Sequence, residues 1–81
     1  MTKAEFRKLK VSKRYFLLKK SGIHIASRNH SGYFVHLFSL DGFFVEVWVL
    51  IGIGQIQWIE IQDNQAQIEL YIEKFNLGDL F

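Results

Sequence analysis

Between residues 23 and 62 apolar and polar side chains alternate with a period of two, which is the spacing of a pleated strand. The alternation predicts four short strands, at 23–28, 33–39, 43–51 and 56–62. Turn-forming residues separate them: Asn29-His30-Ser31-Gly32, Leu40-Asp41-Gly42 and Gly52-Ile53-Gly54-Gln55. Connections this short join antiparallel neighbours, because parallel pairs need long crossovers.

The two ends read as helices. Thr2-Lys3-Ala4-Glu5 fits a capping box, and Gly22 follows a last turn carrying Lys19 and Lys20. These signals predict a helix over 3–21. It carries two apolar stripes: Phe6, Leu9, Phe16 and Leu17 on one side, and Ala4, Val11, Tyr15 and Leu18 nearly opposite. One stripe is normal for a surface helix. So the helix bends near Val11-Ser12, or its second stripe meets another chain, or residues 12–21 are strand; helix is preferred. After Asn64, a cap residue with Gln67 three positions on, Ile68, Ile72 and Phe75 fall on one helical face, and Gly78 and an apolar tail follow. The expected fold is α+β, a single domain over 1–81. Its four-stranded antiparallel meander carries the N- and C-terminal helices on one face, in the order α-β-β-β-β-α.

Strand alternation sorts the side chains into two sets. Ile23, Ile25, Tyr33, Val35, Leu37, Val45, Val47, Val49, Ile59 and Ile61 suit a core under helices. His24, Arg28, Phe34, His36, Phe38, Phe44, Glu46, Trp48, Trp58 and Glu60 hold every charged or imidazole side chain of the strands, and are expected outward. A three-residue Leu40-Asp41-Gly42 loop keeps these sets apart and puts His36 opposite Glu46. A two-residue Asp-Gly turn instead puts Leu37 opposite Glu46 and mixes the sets; it is less favoured on that ground. The outer face then exposes five aromatics, a patch larger than most monomers leave bare.

Composition narrows the class. The 81 residues are 49% hydrophobic and 16% aromatic, with no Cys and no Pro, so a packed globule is expected without disulfides or a thiolate metal site. A chain of this length buries only about 60–65% of its unfolded surface, so its stability margin is thin. No apolar run approaches the ~20 residues of a membrane span, and the Lys-rich start lacks a signal-peptide core; a cytoplasmic protein is expected. The charge is lopsided. Residues 1–32 hold nine Lys or Arg against Glu5, a net +8, and residues 33–81 hold Lys74 against seven acids, a net −6.

The candidate chemistry is sparse. His24, His30 and His36, with Glu46, suggest a His/carboxylate metal set, but at no motif spacing. Glu46 and Glu60 form a possible acid pair with no nucleophile beside them. Gly52-Ile53-Gly54 lies between two strands, not before a helix, so it is a turn and not a phosphate loop. No enzyme, cofactor or metal is expected. The favoured function is a small protein–protein interaction domain, homodimerising through Phe34, His36, Phe38, Phe44, Glu46, Trp48 and Trp58. The alternative is single-stranded nucleic-acid binding, with those aromatics stacking bases and Lys3, Arg7, Lys10, Lys13, Arg14 and Arg28 holding phosphates. Glu46 and Glu60 and the lack of an RNP-type string count against it. The strings LKVSKRYFLLKKSG, IHIASR and GFFVEVWVLIGIGQIQWIEI, spanning most of 3–61, resemble a family of short uncharacterised bacterial proteins. The resemblance implies no activity, cofactor or site.

Overall fold

A computed structural model describes residues 1–73. Its elements are α1 (Lys3–Arg7), α2 (Val11–Ser21), β1 (Ile23–His30), β2 (Tyr33–Leu40), β3 (Phe43–Leu50), β4 (Gln55–Ile61) and α3 (Gln65–Glu73). The four strands form one antiparallel sheet in the order β1-β2-β3-β4, so the fold is the α+β meander that the alternation predicts. The expected contribution of Phe75, Gly78 and the apolar tail lies outside the described residues.

The N-terminal helix is two helices. Thr2 caps α1 with the full capping box: its hydroxyl accepts from Glu5 N–H, and Glu5 accepts from Thr2 N–H. The chain breaks at Lys8-Leu9-Lys10 and restarts as α2, so residues 12–21 are helical and not strand. Phe6 and Leu18 explain the break. On one continuous helix they would stand about 120° apart, yet both are fully buried in the same cluster. Arg14 holds the corner. Its guanidinium donates to the Arg7 carbonyl at 2.8 Å and to the Ile59 carbonyl of β4, and it lies 5.4 Å over the Phe6 ring. Gly22 ends α2 with φ −78°, outside the left-handed region. It is glycine for space: a Cβ there would sit 2.7 Å from the Leu18 carbonyl oxygen.

Turn length sets the sheet. Ser31-Gly32 and Asp41-Gly42 both have positive φ (46° and 87°, 47° and 87°), the signature of two-residue type I′ turns, whose twist matches that of the flanking strands. Leu40 therefore pairs with Phe43, Leu37 with Glu46 and His36 with Val47. This corrects the three-residue loop and the His36–Glu46 pairing. Two bulges change the faces further, between His24 and Ala26 in β1 and opposite Trp48/Val49 in β4.

The helices consequently cover opposite faces, and their expected placement on one face is also corrected. Phe6 of α1 and Leu18 of α2 pack on Leu40, Phe43, Val45, Val47 and Ile59. Ile68 and Tyr71 of α3 pack on Ala26, Val35 and Leu37. Asn64 caps α3 through its side-chain oxygen, which accepts from Ala66 N–H at 2.9 Å and Gln67 N–H at 3.4 Å.

Gly42 offers a clean test of the turn, because a Cβ there meets nothing within 4 Å. Gly42→Ala should lower stability in urea unfolding by about 1–2 kcal/mol, the cost of the left-handed conformation alone.

Candidate functional site

The seven residues expected to share one outer face are divided between two. Phe44, Glu46, Trp48 and Trp58 lie on the α3 side, whereas Phe34, His36 and Phe38 lie on the α1–α2 side. The physical reason is the one-residue change of register, which turns alternate β3 side chains to the other face. The single aromatic face is therefore corrected.

On the α3 side Glu46 is wholly buried. Tyr71 Oη–H donates to its Oε2 at 2.6 Å, and Gln62 Nε2–H donates to its Oε1 at 2.8 Å. The buried Arg28 places Nη2 3.7 Å from Oε2, and its guanidinium lies between the rings of Trp48 (5.8 Å) and Tyr71 (5.2 Å). Burial, with the Glu46 carboxylate next in weight, holds the Tyr71 phenol protonated far above its usual range. Trp48 stacks on Trp58 with ring centres 5.0 Å apart, and Tyr33 and His30 pack on the same pair. Glu60 is the cross-strand neighbour of Glu46 and is exposed. Both Glu46 oxygens are already taken by Gln62 and Tyr71, so this cluster binds the protein together and offers no free acid pair.

The α1–α2 side is only half covered. Beyond Leu18 the sheet opens into a cleft of about 430 Å³, lined by Tyr15, His24, Ser27, His36, Phe38, Val47, Val49, Gly54 and Ile56. Its polar groups come from β1 and β2. The Ser27 hydroxyl lies 2.8 Å from His24 Nε2 and 2.6 Å from His36 Nδ1. The bulge beside Ile25 makes this possible, because without it His24 and Ser27 would face opposite sides. Phe34, His36, His24 and Phe38 form a continuous row of rings, with successive centres 6.3, 5.8 and 5.3 Å apart. Burial first, and the neighbouring His24 second, hold the His36 imidazole below its usual pKa.

A hydroxyl between imidazoles suggests nucleophilic catalysis, but the geometry does not complete it. Ser27 sits mid-strand, and no carboxylate hydrogen-bonds to either ring among the described residues. His30 lies on the opposite face, against Trp48. Among the described residues no three His, Cys, Asp or Glu converge as a metal set, and the candidate His24, His30, His36 and Glu46 are divided between the two faces.

The expected phosphate contacts are mostly engaged elsewhere. Lys3 and Arg7 pair with Asp63 at 2.6 and 3.2 Å, and the Lys3 hydrogen bond chiefly holds that carboxyl below its usual range. Arg14 staples α1 to β4, and Arg28 is buried against Glu46. Of the six, the side chains of Lys10 and Lys13 alone make no ion pair or hydrogen bond among the described residues. No helix of the described residues is long and apolar enough to cross a membrane.

Sequence reasoning missed Ser27, Tyr15, Gln62 and the role of Tyr71. The Asp-Gly pair was the available signal for the register, whereas nothing in the sequence marks the bulge at Ile25. Comparison with known proteins adds no analogy: no family model matches the chain, no curated protein matches it, and no solved structure matches it.

Glu46→Ala leaves Arg28 buried without a counter-charge and should cost about 3–5 kcal/mol in urea unfolding. Tyr71→Phe should cost about 1–3 kcal/mol, and the double change Glu46→Leu with Arg28→Met should recover much of the Glu46→Ala loss. For His36 the folded state binds a proton less readily than the unfolded chain. Stability present above the ordinary His value of about 6.5 is therefore lost as pH falls through it toward the lower folded value. Thermal melts between pH 7.5 and 5 should show a falling midpoint, with a shallower fall in His36→Gln.

Proposed function

We propose that the chain is a small protein-interaction domain that pairs with a second copy through the edge of β1. The observation that carries this reading is the inequality of the two sheet edges. Arg14 takes the Ile59 carbonyl of β4, and α1 and α2 pack against that strand. Among the described residues no side chain hydrogen-bonds to a main-chain group of β1 and no helix or turn bond reaches one. An open strand edge is a ready template for another strand.

The flanks of β1 suit a partner. Ile23 and Ile25 are 66% and 47% exposed. The neighbouring α3 adds exposed Leu70 and Ile72. Self-pairing also carries no charge penalty. The one ionic side chain of β1 is Arg28, which is buried and paired with Glu46, so no like charges oppose across the two-fold. Association would stabilise a chain whose own core is small. A cytoplasmic location belongs to this reading, since a Cys-free chain needs no oxidising compartment.

The edge geometry supplies a selective test. His30 and Tyr33 flank a two-residue turn and exchange hydrogen bonds, so by alternation the Asn29 N–H points away from β2. Light scattering after gel filtration should give twice the chain mass at micromolar concentration. Asn29→Pro removes only an outward donor and should give the monomer mass with an unchanged circular dichroism spectrum. A monomeric wild-type chain would refute the pairing.

A further inference from the structure

The half-open cleft on the α1–α2 side is not used by the β1 edge pairing. We propose that it is a binding site for a small aromatic carboxylate, whose ring lies against Tyr15, Phe38 and Val49 and whose carboxylate is held by Ser27 between His24 and His36.

Size and lining agree with a small-molecule site. The volume of about 430 Å³ falls in the usual range of ligand pockets, and most of the wall is aliphatic or aromatic with one convergent polar group. Charge chooses the ligand's sign. No carboxylate lines the cleft. α2, which forms one wall through Tyr15, carries no acid, and Lys19 follows Tyr15 by one helical turn. The Lys19 ammonium stands 5.5 Å over the Tyr15 ring. A cation would find no counter-charge here, whereas an anion would.

Proton accounting shows how the polar group works. Ser27 has one hydroxyl proton and two imidazole neighbours. With both rings neutral, the hydroxyl donates to one ring nitrogen and accepts the N–H of the other. It then has no proton left for a ligand. When the accepting ring takes up one proton, both rings donate to Ser27 Oγ, which can accept two bonds. The hydroxyl proton turns out into the cleft beside an imidazolium, as a charge-assisted donor to a carboxylate. Binding of the anion is therefore coupled to uptake of one proton. The groups facing His36 allow this to be read cleanly. β1 contributes His24 and Ser27, β2 contributes the Phe34 and Phe38 rings, β3 contributes Val47 and Val49, β4 Ile56, and α2 Tyr15 with Lys19 against it. His36 itself is held toward the neutral state in the free protein, by burial and then by His24, so the proton taken up on binding is a new one.

The test compares naphthalene-2-carboxylate with 2-naphthalenemethanol, an uncharged probe of similar shape, by titration calorimetry on the wild-type chain. At pH 6 the acid should bind at least tenfold more tightly than the alcohol. Its affinity should rise by up to tenfold per unit as pH falls from 8 toward 6, as uptake of one proton requires. Heats in buffers of different ionisation enthalpy should report close to one proton taken up per acid bound, and none per alcohol. His36→Gln should abolish the uptake and the preference for the acid, and Ser27→Ala should weaken the acid and leave the alcohol unchanged. Equal affinity for the two probes, no proton uptake by wild type, or no binding of the acid at millimolar concentration would each overturn the proposal. These wild-type measurements need no variant to fold, and they are independent of whether the chain is monomer or dimer.

Discussion

One buried charge organises the molecule. Taking a carboxylate out of water costs several kcal/mol even after relaxation, and the cost is met only where geometry and hydrogen bonds are good. Glu46 sits in the middle of β3 with none of its surface exposed, and its partners come from three separate parts of the chain: Arg28 in β1, Gln62 after β4, and Tyr71 in α3. Sheet register and the docking of α3 are thus tied to one side chain. A slip of β3 by one residue would move Glu46 to the opposite face, where Phe6, Leu18 and Ile59 offer no partner. A buried ion pair is weak evidence for net stability. Here it acts against the wrong register.

The same register determines what the protein can present. α1 and α2 fold into a corner held by Arg14 and cover only part of their face. What they leave uncovered is the cleft, and what they do cover includes the β4 edge. α3 takes the opposite face, so the aromatics split into a half-buried Trp48–Trp58 group and a row of rings running from Phe34 to Phe38. Among the described residues the β1 edge and the imidazole-lined cleft are therefore left open, and the aromatics do not form one flat sheet face.

Much of the fold was legible in the sequence. The period of two and the helix caps at Thr2 and Asn64 are local features and gave elements of the right type in the right order, although the helix expected over 3–21 is two helices and the loop expected at Leu40-Asp41-Gly42 is a two-residue turn. The expected site was less legible. Phe34, His36 and Phe38 do lie together, but Phe44, Glu46, Trp48 and Trp58 do not lie with them. Their grouping rested on sorting polar from apolar residues, with a charge assumed to point outward. That assumption fails where a buried base, an amide and a phenol wait for it.

The sequence by itself determined four strands, their antiparallel order and the flanking helices, because periodicity, caps and turn residues act over a few neighbours. Only the tertiary structure decided which side of the sheet each residue faces. Facing depends on whether a loop holds two residues or three, and on a bulge at Ile25 that packing selects and no local residue announces. Glu46 shows the difference most sharply. Its hydrogen-bond partners lie 16 and 25 residues further along the chain. A carboxylate is cheap in water and costly in a core, so its place could be known only once those partners were seen around it.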